Sequence, residues 1–150
     1  METGALEDYI GVFDSLGSTY NGHRVDDVRL DTVYGIEVYN STSVFIGARA
    51  AKKVLQMNFD GDQITSRELS VGNNGPRVLK FDHPTGHLYL TTDNLFGVFY
   101  NAEGDMKILA GSGADGPLSS VNWRWACSCT KLDQTTWFIT DYQDHRSVWL

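Results

Sequence analysis

Few positions in this chain forbid a β-ladder. Proline supplies only 3 of the 150 residues, so fixed backbone angles and missing N–H donors are rare. Cysteine supplies 2, too few for a disulfide framework. Basic residues are also short. Lys and Arg number 12 against 19 Asp and Glu, a formal net charge of −7, with no basic stripe. Such a chain repels a phosphate backbone, and no nucleic-acid partner is expected. No run approaches the ~18 apolar residues of a membrane helix, so no membrane association is expected. The opening residues, Met1 to Asp8, are acidic and lack the apolar centre of a signal peptide. A cytoplasmic location is therefore expected.

What is present favours strands. Val, Ile, Thr and the aromatics make up about a third of the chain, and Gly contributes 15 residues. A hydrophobic share of 41% with 21% charged residues excludes disorder. The composition implies an all-β protein. Cys127 and Cys129 sit two apart in a strand-like run, which places both on one face. Their parallel side chains, about 6.6 Å apart at Cα, read as two reduced thiols. No metal-ligand spacing accompanies them.

Self-comparison gives the most informative signal. Three segments share one pattern. The first holds 35–39, 44–48, 54–57 and Ile64. The second holds 78–82, 88–92, 98–101 and Ile108, and the third 125–129, 137–141 and 148–150. Setting Ile46, Leu90 and Ile139 in register aligns Phe45 with Tyr89 and Phe138, and Val54 with Val98. The period is about 40–50 residues with four short strands per unit, which is the signature of β-propeller blades. Asp60-Gly61-Asp62 and Glu103-Gly104-Asp105 fall between third and fourth strands, where Gly supplies the positive φ of a tight hairpin. Asn40 to Ser43, His83 to His87 and Lys131 to Gln134 read as turns between first and second strands. Asn40-Ser41-Thr42, a glycosylation sequon by pattern, is read as such a turn. The Gly-rich linkers at 16–22, 70–76 and 110–117 join units and lack the spacing of phosphate loops.

The third unit carries a family resemblance. Gly111-Ser112-Gly113-Ala114-Asp115-Gly116 leads to a strand, then to Trp137-Phe138-Ile139-Thr140-Asp141, a polar stretch and His145-Arg146. This resembles the NHL repeat. The middle unit has Asp93-Asn94 without a His-Arg pair, and the first has Ala48-Arg49 in place of the Asp. The resemblance implies an all-β fold of about three four-stranded antiparallel units, NHL-like blades of a six-bladed ring. The units run 28–70, 71–116 and 117–150, with 6–16 as the outer strand of a preceding blade. Two arrangements would close the ring: a longer chain of which this is a piece, which is favoured, or a homodimer in which two copies complete one ring.

No nucleophile elbow and no His-Glu-x-x-His motif occurs, so no catalytic residue is nominated. His83 and His87 flank a turn and default to a solvated loop, as do Asp26, Asp27 and Asp31. No metal ligand and no cofactor is expected. The four Trp, at 123, 125, 137 and 149, read as packing residues. The Asp and His-Arg positions read first as structural, an Asp capping a turn and an Arg cross-linking strands or blades. Propellers bind ligands at one end of the channel, where loops after second strands gather. Arg49, Asp93 and Asp141 would fall there and are the ligand-face candidates. The resemblance implies a non-enzymatic module that binds a protein partner. The alternative is a metal-dependent, lactonase-like hydrolase with a site at the channel mouth, for which Asp93, Asn94 and Asp141 are the candidate ligands.

Overall fold

The computed structural model describes residues 17, 20, 24, 27–111, 118, 120, 121, 125–143 and 146–149. They form three antiparallel sheets. Sheet 1 is the meander β1 (Val33–Asn40), β2 (Ser43–Ala48), β3 (Lys53–Asp60) and β4 (Gln63–Ser70). Sheet 2 is β5 (Val78–Asp82), β6 (His87–Thr91), β7 (Leu95–Phe99) and β8 (Lys107–Gly111). Sheet 3 has three strands, β9 (Ala126–Lys131), β10 (Trp137–Asp141) and β11 (Arg146–Trp149). Among the described residues no helix is long and apolar enough to cross a membrane. The strand read at 6–16 lies outside the described residues, as do His23, Asp26, residues 112–117, Trp123 and His145.

Local chemistry explains the turns. Asp60 pairs with Gln63 around Gly61-Asp62, and Gly61 takes φ +56. Asn40 Oδ1 accepts from Thr42 N at 2.9 Å, so the sequon forms a side-chain-closed turn. Asp133 Oδ1 accepts from Thr135 N and Thr136 N, both at 2.8 Å, and does the same between β9 and β10.

The sheets stack through alternating faces. Phe45, Val54 and Leu69 of sheet 1 meet Leu79, Phe81, Leu88, Leu90 and Phe99 of sheet 2. On the other side of sheet 2, Phe96 and Ala110 meet Ala126, Cys129, Trp137 and Ile139. Sheet 2 is thus buried on both faces, and every residue of β7 is buried. Val28 and Tyr20 cover Ile46, Leu55, Met57 and Ile64 on the remaining face of sheet 1. Trp137 packs on Tyr89 at 4.3 Å and on Phe96 at 5.2 Å between ring centroids, the packing role its composition implied.

The pairing registers refine the repeat. Ile46, Leu90 and Ile139 are all buried and pair with Ile36, Leu79 and Cys129 on the first strand of each sheet. These partners are equivalent, yet Leu79 is 4% exposed, Cys129 6% and Ile36 62%. Leu79 and Cys129 each face the preceding sheet, whereas Ile36 faces no sheet among the described residues. Val54 and Val98 are not equivalent, contrary to the sequence alignment. Gly47 pairs with Val54 but Thr91 pairs with Phe96, so the second-to-third connection is two residues shorter in sheet 2.

The thiols also depart from expectation. Thr140 pairs with Ser128 and Asp141 with Ala126, which makes Cys127 the extra residue of a β-bulge. The bulge breaks strict alternation. Cys129 is buried while Cys127 is exposed, its Sγ donating to Trp125 O at 3.2 Å. Both are free, and burial pushes the Cys129 thiol up to about 12. At neutral pH, thiol reagents should therefore modify one equivalent of native protein quickly, at Cys127. Two equivalents reacting at similar rates would contradict the bulge.

Close approach of sheets 1 and 2 rests on Gly35. A Cβ there would stand 2.8 Å from Arg77 O and 3.3 Å from the Leu79 nitrogen, both main-chain atoms of the neighbouring sheet. Gly35→Ala should destabilise the protein by about 1–3 kcal/mol in urea melts. An unchanged midpoint would show that the sheets can separate at no cost.

Candidate functional site

In an antiparallel meander, first strands begin at the end of the sheet where second strands finish. That end gathers Tyr34 on β1, Arg77 just before β5, Trp125 just before β9, Arg49 just after β2 and Asp93 shortly after β6. The five form one cluster. The Arg77 side chain is only 8% exposed, and a buried guanidinium must be paired. Its Nε donates to Asp93 Oδ1. Its guanidinium carbon lies 5.2 Å from the Tyr34 ring centroid and 4.5 Å from that of Trp125. Arg49 donates to the other oxygen, Asp93 Oδ2, at 3.0 Å and also rests over Tyr34 at 5.2 Å.

Burial by itself pushes the Asp93 carboxyl upward. The hydrogen bonds and charges of Arg77 and Arg49 together outweigh that and hold it below the ordinary carboxylate value. The cation–π contacts add roughly 0.5–2 kcal/mol each, more where water is excluded.

The three ligand-face candidates take different roles. Arg49 and Asp93 meet and tie sheet 1 to sheet 2. Asp141 is buried at the end of β10. Its Oδ1 accepts from Gln143 N at 3.2 Å, the turn cap, and from Trp125 N at 3.1 Å. Asp141 thus holds Trp125 where it covers Arg77. Tyr142, exposed, meets the Trp125 ring edge-to-face at 5.7 Å. His83 packs on Phe81, while His87 Nδ1 accepts from Asn101 N at 3.2 Å and its ring packs on Tyr100. Among the described residues no group of three or more His, Cys, Asp or Glu could hold a metal.

The sequence reading missed Arg77 and Tyr34, and took Trp125 first as a packing residue. One signal was available: Arg77 follows Gly75-Pro76 and directly precedes an apolar strand, an unusual place for a solvated cation.

No protein-family model matches the sequence, and no curated protein does. Among solved structures, a structural-genomics protein of unknown function from Bacteroides thetaiotaomicron VPI-5482 is similar with a TM-score of 0.40 and 11% identity. The match covers 93% of this chain and 48% of that one, so the chain spans about half the length of the structure it resembles.

Removing the Asp93 carboxylate leaves Arg77 buried with no counter-charge. Asp93→Asn should cost about 1–3 kcal/mol at about pH 7, less than a fully buried pair because Asp93 is 37% exposed. The sign with pH follows from the lowered carboxyl. The stabilisation is present above the unfolded-state value near pH 4 and lost as pH falls through the lower folded value. The urea-melt difference between wild type and variant should shrink from about pH 5 downward. A difference independent of pH would show that the carboxylate charge is not what is lost.

Proposed function

We propose that the three sheets are successive blades of an NHL-like β-propeller, and that the chain is a non-enzymatic module binding a protein at the Arg77 end. Three features support the blade reading. The units repeat, each sheet buries its apolar rows against the next, and the first strands β1, β5 and β9 adjoin. The exposed Ile36 and Val38, equivalents of buried Leu79 and Phe81, fit a face made for a further sheet.

The single observation that carries the binding reading is the composition of that end. Tyr34, Arg49, Trp125 and Tyr142 are held in fixed contacts, and Tyr34 and Tyr142 are half or more exposed. Trp, Tyr and Arg on a rigid support are the residues that dominate protein–protein hot spots. The hydrolase alternative would need carboxylates free to converge on an ion. Both oxygens of Asp93 are instead engaged by arginines, and Asp141 caps main-chain N–H groups.

Photo-crosslinkers placed at Tyr142 and, as a control, at Leu132 on the opposite end test this reading. A partner trapped from position 142 alone should bind the purified chain at least about tenfold more weakly after Tyr142→Ala, with the melting temperature unchanged. Equal trapping from both ends, or undiminished affinity, would remove the reading. So would ester or lactone turnover abolished by Asp93→Ala.

A further inference from the structure

Beside the Arg77 cluster, and sharing Arg49 and Asp93 with it, lies a depression of about 270 Å³. Thr32, Arg49, Lys52, Asn73, Asn74 and Asp93 line it. From its chemistry we infer that this depression is a binding site for a small organic carboxylate. The inference stands apart from the protein-partner reading, since the ligand could bind with no partner present.

Four observations converge. First, the donors are unused. The Lys52 ammonium and the side-chain amides of Asn73 and Asn74 have no hydrogen-bond or ion-pair partner among the described residues. Arg49 spends one nitrogen on Asp93 and keeps others of its five N–H donors.

Second, the local charge is reversed. Arg49, Arg77 and Lys52 outnumber Asp93 and the nearby Asp31, in a chain whose formal net charge is −7. Asp93, the one carboxylate in the wall, is already neutralised by two guanidiniums. Asp31 is occupied by the Thr32 hydroxyl at 2.9 Å.

Third, the wall is built at a cost in backbone energy. Thr32 adopts φ +40 and Lys52 φ +56, and both line this depression. A β-branched residue at positive φ is a genuine outlier, and such residues concentrate at binding and catalytic sites. Main-chain bonds lock them, Arg49 N to Thr32 O and Lys52 N to Arg49 O, both 3.0 Å.

Fourth, the opposite wall stands close. A Cβ on Gly75 would lie 2.3 Å from Arg49 O, so glycine at this position is what lets the Asn73-Asn74 segment approach the loop carrying Arg49 and Lys52.

Size selects the ligand. The volume is below the roughly 300–1,000 Å³ of sites for drug-sized molecules, which favours a short-chain acid over a nucleotide. A planar carboxylate suits a guanidinium edge, with the ammonium and the amides serving its remaining lone pairs.

Amide-resolved NMR titration of the full chain with sodium succinate tests the inference, using sodium chloride at matched ionic strength as control and inorganic phosphate as a second arm. Saturable shifts confined to residues 49–52 and 73–75 are expected, with affinity falling about tenfold in Lys52→Gln and in Asn74→Ala. Both side chains lie at the surface loop, and an unchanged melting temperature confirms that the variants fold. No saturation, shifts elsewhere, or undiminished affinity in both variants would overturn the site. Saturable binding of phosphate with none of succinate would overturn the ligand class.

Discussion

A guanidinium withdrawn from water must regain from the protein nearly everything hydration supplied. Arg77 does so by drawing on all three sheets. Sheet 1 supplies the Tyr34 ring, sheet 2 the Asp93 carboxylate, and the segment entering sheet 3 the Trp125 ring. Each sheet could bury its apolar rows at slightly different offsets, because hydrophobic contact is non-directional. The Arg77 contacts are directional, and they set where the three sheets stand at that end. Asp141 extends the same constraint by fixing the Trp125 main chain from the far side.

The stacking imposes a second constraint, on sequence. A sheet covered on both faces cannot keep a polar side, and β6 and β7 accordingly alternate between two apolar environments. Leu88 and Leu90 face sheet 1 while Tyr89 faces sheet 3. Ion pairs then stitch the rims, Lys80 to Glu37 at 3.2 Å and Lys131 to Asp82 at 2.5 Å. The latter holds the Asp82 carboxyl below its ordinary value through the hydrogen bond from Lys131, aided by Thr85. The more exposed Lys80–Glu37 pair contributes little, and the core between sheets remains the main source of stability.

The strands and turns were legible because their causes are local. Alternation, Gly at positive φ and Asx side chains act within a few residues, so the hairpin at Gly61 and the Asn40 turn stand where the pattern put them, whereas Val98 pairs with Lys107 and a 3-10 turn at Tyr100–Ala102 makes the Gly104 connection longer than the expected tight hairpin. The two-residue difference in the second-to-third connection was not legible, since both Val54 and Val98 are buried and a hydrophobicity match cannot distinguish them. The bulge at Cys127 was hidden for a related reason: strict alternation puts both thiols on one face, and no local pattern marks the extra residue that separates them. Of the site, Arg49 and Asp93 could be placed from their 44-residue separation, which is the repeat period itself. Arg77 has no counterpart at that spacing, and its burial depends on rings from two other sheets that no local pattern announces.

The charge distribution links the site to its surroundings. At physiological ionic strength the Debye length is about 8 Å, so the net negative charge of the chain is largely screened beyond one or two residues from the surface. A ligand approaching the Arg77 end therefore experiences the local cations rather than the average. Those cations are not mobile surface charges. Arg77 is held by a carboxylate and two rings, and Arg49 by the same carboxylate and one of the same rings. Their ordering entropy is lost on folding rather than on binding, which is the condition under which polar contacts yield net affinity. The carboxylate that neutralises the two arginines is also what keeps them fixed. Preorganisation here is obtained by giving up part of the positive charge.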